Sequence, residues 1–337
     1  MIIVMHADAT TEEVAGIVEK LKSLGADVQV TTEGGRTVVN GTTESRLQDE
    51  APWEALPGVE RVVPVVRGGR RVGRQFKPEP TVVVVGDVSI GAGGLTVIAG
   101  PCAVESREQL LRTAEAVKSS GASILRGDAF KPRTSPYTFQ GLGKAGLELL
   151  AEAREITGLP FVAEVLDPRD VELVSSYADM VRIGTRNMSN HSLLREVGRQ
   201  PKPVQLKRGM AATVDEWIDA AEHVLTEGNG RIVLVERGVR GIDNSARNTL
   251  DLTAVPVAKN RTHLPVMVDP SHACGRSDLV APLARAAIAA GADGVMIDVH
   301  PSPGEALVDG DQALRLEEFD LLMGELRAVA VAVGLSV

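Results

Sequence analysis

Apolar positions change rhythm once along this chain, near residue 80, separating a short segment of mixed periods from a long one that repeats. In the first, Met1–His6 is a strand-like apolar run, and Thr10-Thr-Glu-Glu13 has the spacing of a capping box that starts a helix. Val14, Ile17, Val18 and Leu21 recur at helical spacing until Gly25. Asp27–Thr31 and Thr37–Asn40 read as two short strands around Glu33-Gly34-Gly35, a hairpin signal. A helical piece near Leu47–Leu56 and a last strand, Val59–Val66, complete the order βαββαβ, the ferredoxin-like pattern. Residues 1–66 are thus expected to form a small domain. Residues 67–80, RGGRRVGRQFKPEP, are basic and rich in Gly and Pro, and read as a solvated linker.

From Thr81 onward, strand-like and helical periods alternate. A hairpin, Thr81–Val85 with Asp87–Ile90, precedes apolar runs at Leu95–Ala99, Ser123–Arg126, Pro160–Val165, Met180–Ile183, Pro203–Lys207, Ile232–Glu236, Pro265–Asp269 and Gly294–Val299. Helical segments lie between them, among them Arg107–Ser120, Ala145–Thr157, Val214–Glu227 and Leu279–Ala290. Continuous apolar strands alternating with amphipathic helices imply parallel strands buried on both faces. Eight such units over about 250 residues predict an α/β fold, a (β/α)₈ TIM barrel over residues 81–337. An open doubly wound sheet is disfavoured because no glycine-rich dinucleotide fingerprint follows any strand.

Composition narrows the partners. A formal net charge of −9 argues against nucleic acid and acidic membranes, which both need a basic face. No apolar run is long enough to span a bilayer, the N-terminus lacks a basic signal-peptide region, and two cysteines make no disulfide framework. The cytoplasm is the expected compartment.

In a barrel of this kind, chemistry sits where the strands end. The eight runs end in Gly100-Pro101-Cys102, in Arg126 through Ser135, at Glu164, in Gly184-Thr185-Arg186, in Lys207-Arg208-Gly209, in Glu236-Arg237-Gly238, in Asp269-Pro-Ser-His272 and in Asp298-Val-His300. Each end carries a cation, a carboxylate or a metal-competent side chain. Arg126, Lys131, Arg133, Arg186, Lys207 and Arg237 suit phosphate and carboxylate groups. Cys102, His272 and Asp298, with Asp309 in the loop beyond, form an S/N/O/O set suited to a divalent transition metal. Taken singly, each has a plainer reading: a lone cysteine is most often a small buried hydrophobe, and a lone loop histidine is usually just hydrogen-bonded. The shared register favours the group as a site.

Gly100-Pro-Cys-Ala-Val-Glu-Ser106, Lys131-Pro-Arg-Thr-Ser135, Phe139-Gln-Gly-Leu-Gly143, Lys207-Arg-Gly209 and Asp269-Pro-Ser-His272 resemble the type I 3-deoxy-D-arabino-heptulosonate 7-phosphate (DAHP) synthases, most closely the subgroup with an N-terminal ferredoxin-like domain. The related octulosonate synthases share the barrel but carry an Ala-Asn-Arg-Ser-type segment in place of Lys-Pro-Arg-Thr-Ser. The resemblance implies condensation of phosphoenolpyruvate with erythrose 4-phosphate, the first step toward the aromatic amino acids. It also implies a bound Mn2+, Fe2+, Co2+ or Zn2+ ion at Cys102, His272, Asp298 and Asp309. Arg126, Lys131 and Lys207 would then face the phosphoenolpyruvate carboxylate, and Arg186 and Arg237, beside Thr185, its phosphate. Arg133, Thr134 and Ser135 would face erythrose 4-phosphate, with Lys131 as proton donor. Either Glu164 or a metal-bound water oriented by His272 would direct water to C2 of phosphoenolpyruvate.

At one position the chain departs from that pattern: the family usually has Glu where this chain has Asp298. The N-terminal domain is expected to bind a tyrosine or phenylalanine effector, and the assembly to be a homodimer or homotetramer. A rival from another class is a catalytically silent barrel that senses phosphorylated metabolites; intact Cys102, His272 and Lys131 argue against it. Cys274, two residues past His272, raises the question of a Cys102–Cys274 disulfide, against the plainer reading of an inert thiol.

Overall fold

The computed structural model describes residues 1–33, 36–42, 53–63, 70–133 and 135–337. Two compact units divide it, Met1–Phe76 and Lys77–Val337. In the first, β1 (Ile2–Met5), α1 (Thr11–Ser23), β2 (Asp27–Glu33), β3 (Arg36–Thr42) and β4 (Val59–Val63) form an antiparallel sheet of order β2-β3-β1-β4 under one helix. The capping box starts α1: Thr10 Oγ1 accepts from the Glu13 N–H, and Glu13 returns a carboxylate to the Thr10 N–H at 2.7 Å. Ile17 and Leu21 then bury against Ile3, Met5, Val39 and Trp53. The Gly34-Gly35 turn and the 47–52 part of the expected second helix lie outside the described residues; what is described of that helix is a single 3-10 turn, Trp53–Ala55. The connector expected over 67–80 is shorter than that reading, because Phe76 packs on Ile2, Val4 and Val38 and belongs to this unit.

In the second unit, the hairpin β5 (Val83–Val85) and β6 (Val88–Ile90) precedes a closed parallel barrel. Its strands are β7 (Thr96–Gly100), β8 (Ile124–Arg126), β9 (Phe161–Val165), β10 (Met180–Ile183), β11 (Val204–Lys207), β12 (Ile232–Glu236), β13 (Val266–Val268) and β14 (Gly294–Asp298). Around it run α2 (Arg107–Ser120), α3 (Lys144–Thr157), α4 (Val171–Tyr177), α5 (His191–Gly198), α6 (Val214–Thr226), α7 (Ala254–Arg261), α8 (Pro270–Cys274), α9 (Ser277–Ala289) and α10 (Leu316–Ala332). Every strand lies on its expected run, to within two residues at either end.

Side chains on a strand alternate faces with a period of two, and this builds the barrel interior in layers. Ile98, Ile124, Val162, Met180, Met267 and Met296 form an apolar layer, packed against Val83, Val85 and Ile90 of the hairpin, which plugs the barrel's N-terminal end. Two residues further along β8, β9, β10 and β14, the same face carries Arg126, Glu164, Arg182 and Asp298, all buried. The core therefore turns from apolar to ionic within one strand step, toward the C-terminal mouth.

Candidate active site

Charges buried this deeply persist only when they are paired and hydrogen-bonded. Asp128, one residue past the Arg126-Gly127 turn, supplies the pairing. Its Oδ2 accepts from Lys131 Nζ at 2.8 Å and from Arg126 Nη2 at 3.5 Å, and its Oδ1 pairs with Arg182 Nη2 and accepts the Glu164 N–H at 3.2 Å. Burial would raise the Asp128 carboxyl, but Arg182, Lys131 and Arg126 overcome it and hold the group far below the usual carboxylate range. Arg126 also pairs with Asp298 and reaches the Cys102 carbonyl at 3.3 Å. Lys131 Nζ lies 3.0 Å from that carbonyl and 3.2 Å from the Cys102 sulfur. Burial opposes the charge on Lys131, yet Asp128 and the other negative neighbours raise its pKa above that of an ordinary lysine.

Above this network opens a cavity of about 570 Å3. Of the expected residues, Lys131, Arg133, Ser135, Glu164, Thr185, Arg186, Lys207, Arg237, His272 and Asp309 line it, whereas Arg126, Cys102 and Asp298 lie beneath its floor and Thr134 lies outside the described residues. Gly184 lies so close to the Glu164 carboxylate that a Cβ there would meet it at 1.9 Å, so a larger residue where β10 meets the cavity would push the Glu164 side chain aside. Lys207 Nζ donates to Asp269 Oδ2 at 2.6 Å. Burial, with help from Arg182 and Arg126, pushes Lys207 down to about 8 against the pull of Asp269. Among the described residues, buried polar atoms of Arg133, Thr185 and Arg237 have no protein partner. Buried donors of this kind call for a hydrogen-bonding ligand. A wider depression of about 730 Å3, lined by His191, His223 and Asp219, meets the cavity at Met210 and Arg240 but holds none of the expected groups. It is peripheral to the chemistry.

The expected metal donors also converge. Cys102, His272 and Asp298 each present a ligand atom within 4.8 Å of the others. Asp309 Oδ2 lies 3.3 Å from Cys102 Sγ and 3.8 Å from His272 Nε2, and that sulfur and nitrogen are 3.7 Å apart. Tetrahedral coordination with M–S of about 2.3 Å and M–N or M–O of about 2.1 Å gives edges of roughly 3.4–3.6 Å, so this donor set fits a transition metal. The other ring nitrogen, Nδ1, lies 2.9 Å from Asp269 Oδ2, the hydrogen bond that commonly orients a metal-binding histidine. Burial pushes the Cys102 thiol up to about 12 despite Lys131, and it pushes His272 down, toward the neutral ring that ligates. Both cysteines are free, and the Cys274 thiol donates to the Pro270 carbonyl at 3.0 Å.

Sequence reasoning missed Asp128 and Arg182 and gave Asp269 no role. Their signal was present: a charge inside or just after a buried parallel strand demands a partner of opposite sign. It also stopped at Arg237, whereas Arg240, Arg247 and Asn248 of the same loop line the cavity.

Among the described residues, no helix is long and apolar enough to cross a membrane. Residues 72–331 match the family model described as the DAHP synthetase I family, and residues 1–67 match the DAHP synthase ferredoxin-like domain. Over all 337 residues the chain is 45% identical to a phospho-2-dehydro-3-deoxyheptonate aldolase of Thermotoga maritima, covering 100% of both chains. The crystal structure of a Thermotoga maritima DAHP synthase superposes with a TM-score of 0.80 at 45% identity, covering 100% of this chain and 98% of that one. A 2-dehydro-3-deoxyphosphooctonate aldolase of Syntrophotalea carbinolica is 32% identical, over 74% of this chain and 96% of its own. Barrel and ferredoxin-like unit thus agree with the comparisons, and the chain belongs to the DAHP synthetase I family.

Proposed function

We propose how this chain carries out the DAHP synthase reaction of its family. C3 of phosphoenolpyruvate attacks the aldehyde carbon of erythrose 4-phosphate, water adds at C2, and phosphate leaves by C–O cleavage. Two anions that repel each other must be aligned, so positioning and charge neutralisation dominate the barrier. Lys131 and Lys207 hold the enolpyruvyl carboxylate, with the buried Arg126 adding positive charge beneath them, while Thr185, Arg186 and Arg237 hold its phosphate. Arg133, Thr134 and Ser135 bind erythrose 4-phosphate. Lys131 donates a proton to the alkoxide that forms, and either Glu164 or a water oriented by His272 directs water to C2. Cys102, His272 and Asp309, with Asp298 alongside, would hold a divalent ion, Mn2+, Fe2+, Co2+ or Zn2+, which supplies Lewis-acid polarisation of the aldehyde when bound. The reading is supported above all by one cavity in which Lys131, Arg186, Lys207 and Arg237 face His272 and Asp309.

Phosphate release tests it. Phosphoenolpyruvate with erythrose 4-phosphate should release phosphate, and arabinose 5-phosphate should not substitute; chelation should stop turnover and a divalent ion restore it. In the same reading the enzyme is cytoplasmic, assembles as a homodimer or homotetramer, and is inhibited by tyrosine or phenylalanine through the N-terminal unit. A chain beginning at Lys77 should then stay active and ignore both amino acids. Activity with arabinose 5-phosphate alone would reassign the substrate.

Lys207 adds a pH dependence. Because its folded-state pKa is lowered to about 8, the charge that holds the carboxylate is present below pH 8 and lost above it. KM for phosphoenolpyruvate should rise above pH 8, toward tenfold per pH unit, and Lys207→Arg should flatten the rise. Folding stability moves the other way. Between about 8 and the ordinary 10.5, the unfolded chain binds the extra proton, so the Lys207 contribution to stability grows as pH rises. A KM that stays flat to pH 9.5 in the parent would remove Lys207 from the carboxylate site.

A further inference from the structure

Asp298 is one methylene shorter than the glutamate its family usually places there, and its surroundings bear on what it can ligate. Its carboxylate is committed on both oxygens: Oδ1 to Arg126 Nη1, and Oδ2 to Gln312 Nε2 at 2.5 Å. The main chain is fixed as well, since Asp298 N–H donates to Ser271 Oγ at 3.0 Å and its carbonyl accepts from Leu314 N–H at 2.9 Å. The side chain is 0% exposed, against 13% for His272 and 27% for Asp309, both of which line the cavity. Asp298 approaches the His272 ring at Nδ1, 3.6 Å away, the nitrogen already bonded to Asp269.

Asp309 is placed differently. Its Oδ2 closes a triangle with Cys102 Sγ and His272 Nε2 whose edges are 3.3, 3.7 and 3.8 Å. Among the described residues it is the one non-glycine with positive φ, +52°. Backbone strain of this kind persists only where the surroundings impose it. Glu105 Oε1 helps to hold its loop, accepting the Leu307 N–H at 2.9 Å, and Arg247 Nη2 lies 3.2 Å from the free carboxylate oxygen.

We infer that this chain holds its metal with three protein ligands, Cys102, His272 and Asp309, and that Asp298 is a positioning residue, the fixed counter-charge that holds Arg126 beneath the cavity. The inference rests on the reading of these residues as a metal site. Three protein ligands would leave the ion a position for a non-protein ligand, the arrangement expected of a catalytic metal and not of a structural one. The short Asp298 side chain is spent on its ion pair with Arg126.

Cobalt titration of the metal-free, full-length protein tests this, followed by visible absorption and calorimetry. The parent should show a thiolate-to-cobalt band and the intense d–d bands of a four-coordinate ion. Asp309→Asn should weaken Co2+ binding beyond the roughly 10–100-fold typical of outer-shell partners, and Asp298→Asn should stay within that range with its d–d bands unchanged. Asp298→Glu retains the charge should the asparagine variant fold poorly. Its longer reach should add a ligand, so the d–d bands weaken and Co2+ binds about tenfold tighter. The assignment is overturned if Asp298→Asn loses as much affinity as Asp309→Asn, or if Asp298→Glu keeps both the parental spectrum and the parental affinity. Cys102→Ser checks the underlying reading: retention of the charge-transfer band and of tight binding would sink the metal site itself, and the ligand assignment with it.

Discussion

Replacing Lys131 by methionine should lower kcat at least about a hundredfold while leaving the protein folded, the loss expected when a positioned proton donor is removed. The fold should survive because Asp128, the carboxylate Lys131 pairs with, keeps Arg182 and Arg126. No buried charge is orphaned, which is what makes the loss of one partner costly elsewhere. Lys131 carries its proton throughout the working pH range, since its negative neighbours raise its pKa. That suits a donor to a strongly basic alkoxide. If Lys131 only bound substrate, KM would rise and kcat would hold. Steady-state kinetics on both substrates separate the two, and a Lys131→Met enzyme with normal kcat eliminates the donor role.

Asp128→Asn should have the largest effect on stability of any single exchange at the site. It neutralises the one carboxylate shared by Arg126, Lys131 and Arg182, of which the two arginines are 0% exposed. Removing one partner from a buried ion network costs about 3–5 kcal/mol. For a barrel of this size that is roughly 6–20 °C in Tm, read by calorimetry. kcat/KM should fall too, because Arg126 and Lys131 lose the group that fixes them. Asp167→Asn is the control: its partner Arg169 is 88% exposed, and exposed pairs contribute at most about 1 kcal/mol. Equal Tm shifts in the two variants would show that the buried network does not hold the mouth together.

Periodicity carried the fold because it is a local property. Met180–Ile183 and Ile232–Glu236 match their strands end for end, and Arg107–Ser120 its helix, since apolar runs and a Ser106 cap with Gly121 behind it are written in neighbouring residues. The N-terminal unit was less legible at its edge. A Gly- and Arg-rich stretch reads as linker, yet Phe76 at its end has an apolar partner surface that no local pattern announces.

Neighbouring residues alone specify which residue types stand at the strand ends, and with them the family, because the barrel's polarity puts every strand end at one mouth. Who pairs with whom follows from the folded arrangement alone. Asp128 becomes the hub of three cations, Asp269 joins Lys207 to His272, and Asp298 turns to Arg126 while Asp309 closes on Cys102 and His272. Such pairings depend on ångström differences between residues up to 207 positions apart. Electrostatic energy varies with those distances and with burial, neither of which is written in a linear order of residues.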